Sequence, residues 1–225
     1  EGSQNAPILR QAFIKFKGFT FGKTWSTFCD ISAGPATIDE EGPTSEVALR
    51  QPQIRYTRDF NKQWQASLAL EYVEPSYTEG EFTEYIHQRI PDIPLNVRYS
   101  FKNGSHLQAG AVLRNMYYKD EIKDKDRIVT GWGASLSGIW QFTENTSFCF
   151  QGVCGKGIAN YIQDISGIGL DLVPSATAEG KLKASCAWGA YGGFSHKWCE
   201  SLSSNIMYSY ARVEERFGMP TTSYK

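Results

Sequence analysis

Apolar and polar residues alternate with a period of two along most of this chain. Because successive side chains of a strand point to opposite faces, this alternation predicts β-strands that each carry one apolar and one polar face. Ten such strands are predicted, at about 10–18, 19–28, 50–59, 63–73, 94–102, 105–116, 127–142, 146–156, 181–197 and 200–213.

The connections between these strands alternate between short and long. Short polar turns centre near Gly18, Asn61, Asn103-Gly104, Asn145 and Glu200, and Asn-Gly is a strong hairpin signal because both central positions take positive φ. The long connections span about 29–49, 74–93, 117–126 and 157–180. A bacterial outer-membrane barrel has short turns at its periplasmic end and long loops outside. The pattern therefore predicts an all-β fold, a transmembrane antiparallel β-barrel.

The composition of the two faces agrees with a barrel. In the second strand Thr20 and Thr24 are expected to point inward, and Phe21 and Trp25 outward. Aromatic residues occur near the ends of the apolar faces, as in the girdles of membrane barrels, at Tyr72, Phe101, Trp132, Trp140, Trp188, Phe194 and Tyr210. The opposite faces are rich in Gly, Ser, Ala, Asn and Gln, which suits a wet lumen. Lys156 and Lys183 interrupt the alternation.

Composition and charge exclude several other classes of function. The 225 residues include 21 glycines and 14% aromatics, a mixture typical of strands joined by turns. The formal net charge of -1 gives no bulk basic signal for nucleic acid. The five cysteines fit no zinc spacing, and the three histidines, His87, His106 and His196, are expected to be solvated. Since no nucleophile–base or paired-acid arrangement stands out, we expect no metal, no cofactor and no enzyme activity.

Basic residues on the polar faces are the candidates for a binding site. Arg55, Arg98, Arg114 and Lys15 each share a strand face with polar residues, and Arg50 is included with them. Side chains from different strands that all point into one lumen would steer anions and bind carboxylates. The alternative is that these arginines merely pair with loop acids such as Asp39 and Glu41, and both interpretations stay open.

Several motifs resemble one known family. LRQAF (9–13), FGKTWSTFCD (21–30), IDEEGP (38–43) and RQPQIRYT (50–57) look like the corresponding segments of the DcaP-like trimeric porins of Gram-negative outer membranes. The match is dense over about residues 9–57. Beyond them only the alternation of strands with short and long connections is shared. Cys29 stands where the family pattern has a larger apolar residue.

The resemblance implies a porin of about 16 strands that assembles as a homotrimer in the outer membrane, in contact with lipid and lipopolysaccharide. Residues 1–225 would then be one barrel domain holding about ten strands, with about three more before Ile8 and three after Phe217. It also implies that 29–49 is a constriction loop folded into the lumen. Small anionic solutes such as dicarboxylates would be the partners, and the acids of that loop, Asp30, Asp39, Glu40 and Glu41, could dock on lumen arginines.

Two other functions remain open from the residues alone. A barrel without an open pore could act as an adhesin or anchor through its long loops, such as 74–85. A soluble β-sandwich could bind carbohydrate by stacking Trp and Tyr on sugars.

Overall fold

The computed structural model describes residues 9–35, 42–175 and 177–214. Its strands are β1 (Ala12–Phe16), β2 (Phe19–Trp25), β3 (Arg50–Asp59), β4 (Trp64–Glu71), β5 (Thr83–Tyr85), β6 (Ile93–Ser100), β7 (His106–Asp120), β8 (Lys125–Thr143), β9 (Thr146–Lys156), β10 (Leu172–Pro174), β11 (Leu182–Ala184), β12 (Cys186–Cys199) and β13 (Leu202–Val213). Three short 3₁₀ helices lie in the connections, at Ile31–Ala33, Ala159–Tyr161 and Gln163–Ile165.

One large antiparallel sheet contains the ten long strands. They are hydrogen-bonded in the order β1-β2-β3-β4-β6-β7-β8-β9-β12-β13, and the short β5 adds to the end of β7. β10 and β11 form a separate two-stranded sheet. No pairing within the described residues joins β1 to β13, so the sheet is an unclosed barrel wall. A single large sheet of this kind is not the two-sheet sandwich that remained open from the sequence.

The ten predicted strands are confirmed, with three changes. The connection predicted at 117–126 is mostly strand, because β7 and β8 pair as far as Asp120 and Lys125. The strand predicted at 181–197 is divided into β11 and β12. Short strands also occur inside two predicted loops, because β5 pairs with the end of β7 and β10 pairs with β11.

The short turns lie at one end of the sheet, which we call the turn end, and the opposite end is the loop end. Lys17 and Gly18 join β1 to β2 with φ of 46° and 84°, as a two-residue turn with two positive φ values requires. At Asn103-Gly104 only Gly104 has positive φ, at 86°. The Asn-Gly turn predicted there is instead part of a five-residue connection between Ser100 and His106.

The outer face of the sheet is apolar and exposed. On β8 the outward side chains include Trp132, Leu136 and Trp140, each about half exposed. The two tryptophans are eight residues apart, which is about 26 Å along a strand. An outward apolar band about 25 Å tall with aromatic residues at its borders is the pattern of a membrane barrel. Among the described residues, no helix is long and apolar enough to cross a membrane.

The inner face differs between its two ends. Toward the turn end it is polar, with buried side chains such as Thr20, Asn96 and Gln108. Toward the loop end, parts of the connections after β2 and β9 pack on it and form an apolar cluster. This cluster includes Phe28, Val47, Val112, Val153, Ile158, Tyr161, Ile162, Ala187 and Val213. Only the turn-end half therefore matches the wet lumen predicted from composition.

Glycines on the inner face let the connection after β2 approach the wall. A Cβ at Gly133 would lie 3.0 Å from Ile158 and 3.2 Å from Phe28, and one at Gly110 would lie 3.4 Å from Phe28. Phe28 is 1% exposed and meets the Tyr161 ring edge-on at 5.5 Å. Its ring thus joins the two inward-folded connections to each other and to the wall.

Phe28→Ala is expected to destabilise the folded protein by about 3–5 kcal/mol, because it empties the centre of the apolar cluster. The measurement is the thermal unfolding of the refolded full-length protein in detergent. Phe21→Ala is the matched control, since Phe21 is 45% exposed on the outer face of the preceding strand. An equal loss in both variants would contradict a packing role for Phe28.

Candidate functional site

The segment that leaves β2 lies across the inner face of the sheet. Polar side chains of four strands hold its backbone there. Asn96 donates to the Thr27 carbonyl at 2.6 Å, Gln108 to that of Cys29 at 3.1 Å, and Tyr191 to that of Ala33 at 3.2 Å. Glu71 accepts a hydrogen bond from the Thr27 amide at 2.7 Å.

The returning half of the same connection is held in a similar way. Gln151 donates to the Ser45 carbonyl at 3.0 Å, and the Thr44 and Ser209 hydroxyls lie 3.0 Å apart. Val47 forms an isolated bridge with Ile162. The described parts of 29–49 therefore run from β6 across to β13, on the inside of the wall.

Asp30 is the most strongly bound side chain of this segment. Its Oδ2 lies 2.8 Å from Nε2 of His106 and accepts from the Ser137 hydroxyl at 2.8 Å. Its Oδ1 accepts from Ser32 at 2.6 Å and lies 3.5 Å from Nη1 of Arg98. Burial opposes ionisation of Asp30, but the hydrogen bonds from His106, Ser32 and Ser137 outweigh it and lower the pKa of this carboxyl.

A polar cavity of about 550 Å³ lies between this segment and the turn-end half of the inner face. Four basic side chains line it against two acidic ones among the described residues: Lys15, Lys17, Arg55 and Arg98 against Asp30 and Asp59. Ser32, Thr57, Gln65, Ser67, Asn96 and Gln108 supply further polar groups. Three predicted site residues, Lys15, Arg55 and Arg98, are thus brought together with Asp30.

The three predicted cations, Lys15, Arg55 and Arg98, differ in how many contacts each makes with other residues. Arg98 donates to Ser32 at 2.7 Å in addition to its contact with Asp30, and its side chain is 27% exposed. Arg55 is partly buried beside Gln53 and makes no ion pair with a described residue. Lys15 is exposed on β1, opposite Thr20 of β2. Arg55 and Lys15 therefore have more capacity left for a ligand than Arg98 has.

Two predicted site residues lie elsewhere. Arg50 is on the outer-face side of β3, and its guanidinium stacks over the Trp25 ring at 3.6 Å. Arg114 points inward as expected but is 0% exposed, which removes it from contact with a solute. Asp39, Glu40 and Glu41 lie outside the described residues.

Arg114 is the centre of a buried ion cluster. Its Nε lies 2.7 Å from Oδ2 of Asp92 and its Nη1 lies 3.0 Å from Oδ2 of Asp171, and both carboxylates are also 0% exposed. Tyr161 donates to Asp92 at 2.9 Å, and Arg114 also donates to the carbonyl of Gly157. The cluster fastens the connections that contain Asp92 and Asp171 to the inner face of β7.

The sequence analysis did not identify the residues that bind beside Arg98 and Arg114. His106 was expected to be solvated beside a turn, but it is 4% exposed against Asp30. The sequence did contain one indication of this burial, because His106 shares the inward polar face of β7 with Gln108 and Arg114. Asp92, Tyr161 and Asp171 carry no such signal, because they lie in connections without a period.

Comparisons with known proteins agree with this geometry. A family model for the porin subfamily matches residues 1–222. The chain belongs to this porin family. The fold of the porin is similar to the crystal structure of the outer membrane channel DcaP of Acinetobacter baumannii, with a TM-score of 0.75 and 19% identity. The match covers 95% of this chain and 59% of that one, so the chain spans about three-fifths of the channel's length. No curated protein matches the chain significantly.

The family and the fold place this porin in the outer membrane, in agreement with the apolar outer face. The segment along the inner face and the polar cavity beside it are therefore on the lumen side of the barrel wall. The described residues contain no group of three or more His, Cys, Asp or Glu side chains that could hold a metal ion.

Arg114→Met is expected to destabilise the folded porin by about 3–5 kcal/mol, because it leaves two buried carboxylates without their cation. Thermal unfolding of the full-length protein measures the loss. Adding Asp92→Asn and Asp171→Asn to Arg114→Met should recover most of the stability. Arg55→Met is the control, because Arg55 has no ion pair among the described residues. If Arg114→Met were no worse than Arg55→Met, the cluster would have no role in stability.

Proposed function

We propose that the whole protein is an outer-membrane porin through which small hydrophilic solutes diffuse passively, with a preference for anions such as dicarboxylates. The observation that carries the proposal is the cavity beside the inward-folded segment, in which Lys15, Arg55 and Arg98 come from three different strands. No covalent chemistry is involved. A trimer is proposed with it, as the family resemblance implies.

The excess of basic side chains is what supports the anion preference. A polar cleft walled by protein focuses the field of its charges and raises the local concentration of oppositely charged solutes. Arginine also matches a carboxylate with two parallel hydrogen bonds. Because Arg98 is partly occupied by Asp30 and Ser32, Arg55 and Lys15 would make the first contacts with a passing dicarboxylate.

We propose that the connection 29–49 is the constriction loop of this pore. Its described parts lie against the inner face and are held by at least five strands, which supports a fixed neck and not a mobile lid. The contact between Asp30 and Arg98 is one case of a loop acid docked on a lumen arginine. That Asp39, Glu40 and Glu41 act in the same way remains part of the proposal.

A barrel without an open pore is the second candidate. The apolar cluster around Phe28 and Tyr161 fills part of the inner face at the loop end, and such filling favours a plugged barrel that serves as an anchor or adhesin. Ion current through the full-length protein in planar bilayers separates the two functions. Absence of any channel current would favour the plugged barrel.

Arg55→Glu and, separately, Arg98→Glu are each expected to lower the ratio of anion to cation permeability several-fold, because each reverses a charge at the cavity wall. The measurement is the reversal potential of single channels in a salt gradient. Arg58→Glu is the control, because Arg58 lies on the outer-face side of β3 and packs on Phe60 at 5.5 Å. A reversal potential unchanged by both lumen variants would refute their place in the solute path.

Asp30→Asn is expected to raise single-channel conductance and also anion preference. It removes a negative charge and weakens the contacts to His106, Ser137 and Arg98 that hold the loop. Asp59→Asn is the control, because it also removes one negative charge from the cavity. Asp59 accepts from Gln65 at 2.8 Å and does not contact the loop. This control should therefore change selectivity with little change in conductance. Equal conductance in the two variants would argue against Asp30 as a loop anchor.

A further inference from the structure

A shallow apolar hollow lies on the outer face of the sheet, where β8, β9 and β12 are neighbours. Its volume is about 640 Å³. The outward side chains along it are mostly small, and they belong to Ala134, Leu136, Gly152, Cys154, Cys186 and Trp188. It is separate from the solute path, because these side chains point away from the lumen.

The register of the strands explains the hollow. Ala134, Cys154 and Trp188 lie in one row across the sheet, and Leu136 and Gly152 lie in the next row toward the turn end. A Cβ at Gly152 would meet no atom within 4 Å, so the centre of the hollow is open. Phe150 follows on the same face of β9, where the hollow ends. From Cys154 to Phe150 the distance along the strand is about 13 Å.

Two cations border the hollow, one at its loop end on β9 and one at its side on β13. Lys156 is exposed on the outer face of β9, paired with Trp132 of β8. Arg212 is exposed on β13, paired with Trp188. Neither makes an ion pair with any residue in the described ranges. Glu214, whose amide donates to the Cys186 carbonyl, lies across β12 from Lys156 and two residues beyond Arg212 on the same face of the chain, and it makes no ion pair with a described residue.

A lysine on the lipid-facing side of a membrane strand is costly unless its ammonium reaches the headgroups. Trp132 and Trp188 mark the level of the interface, where tryptophan is enriched. At that level Lys156 and Arg212 can meet lipid phosphates, and each cation near an anionic surface adds about 1 kcal/mol of attraction. The lysine that interrupts the apolar alternation of β9 thus has a partner of definite chemistry.

We propose that this hollow is a binding site for a phosphorylated glycolipid of the lipid A class in the outer leaflet. One acyl chain lies along β9 over Gly152, and a phosphate meets Lys156 and Arg212. The outer leaflet follows from the orientation of such barrels, whose long connections face the exterior. The two cations favour this anionic occupant over a second copy of the chain.

The test uses the full-length protein, delipidated in detergent and titrated with lipid A that carries two phosphates. Binding is followed by native mass spectrometry. Lys156→Gln with Arg212→Gln is expected to weaken binding about thirtyfold, since each cation contributes about a factor of five. The matched control is Lys23→Gln with Arg50→Gln, the same charge change on the outer face of β2 and β3, away from the hollow. That control should bind lipid A like the unmodified protein.

Gly152→Leu tests the hollow itself. The variant should fold normally because the position has open space and no unusual φ, and it should weaken lipid A binding by occupying the place of the acyl chain. Lipid A without phosphates and phosphatidylglycerol are the comparison probes. Both should bind more weakly than lipid A with two phosphates.

Several results would overturn the proposal. Unchanged lipid A binding in the Lys156/Arg212 and Gly152 variants would exclude the site. Equal binding of the dephosphorylated form would exclude the phosphate contact, and equal binding of phosphatidylglycerol would exclude the glycolipid as the specific occupant. If Gly152→Leu changed the oligomeric state in light scattering and left lipid binding intact, the hollow would be a subunit contact. None of these measurements depends on channel conductance.

Discussion

The ion cluster of Arg114, Asp92 and Asp171 is the constraint on which the inside of this barrel wall depends. One guanidinium on β7 is shared by two carboxylates that belong to different connections, and none of the three is exposed. Removing charges from water is expensive, and it is compensated only when every charge has a partner with good geometry. The two connections therefore cannot leave the inner face independently. This requirement acts together with the apolar contacts around it to determine where they lie.

The position of the polar cavity follows from that arrangement. The loop-end half of the inner face is filled by the ion cluster and by the apolar cluster, to which the segment after β2 itself contributes Phe28. The same segment then crosses the middle of the wall. There Asp30 meets Arg98 and His106. What remains open is the polar half between this segment and the turn end, which is the cavity with the basic side chains. A buried cation thus fixes the structure, whereas the less buried ones line the open cavity.

The sequence predicted most of the wall and less of the site. Period-two alternation was sufficient for the ten long strands and for the inward direction of Arg55, Arg98 and Arg114, because direction depends only on parity within a strand. It could not distinguish a solvated arginine from a buried one, since that depends on whether an acid from a distant connection arrives beside it. Arg114 and Arg98 look alike in sequence, but only Arg114 receives two carboxylates. The burial of His106 was missed for the same reason, because its partner Asp30 comes from another connection.

The two faces of this wall meet different surroundings, and this difference explains why the inner face makes so many hydrogen bonds and packing contacts. The outer face meets lipid, where apolar side chains gain little by packing on one another. Water is excluded by protein only on the inner face, so the hydrophobic effect acts between the wall and its inward-folded connections. Each connection must also satisfy its own backbone groups there, because a buried unpaired group is costly. Side chains such as Asn96, Gln108 and Tyr191 do so by bonding backbone carbonyls of the loop. The polar inner face therefore has two roles, since it lines the cavity where it is open and anchors the loop where it is covered.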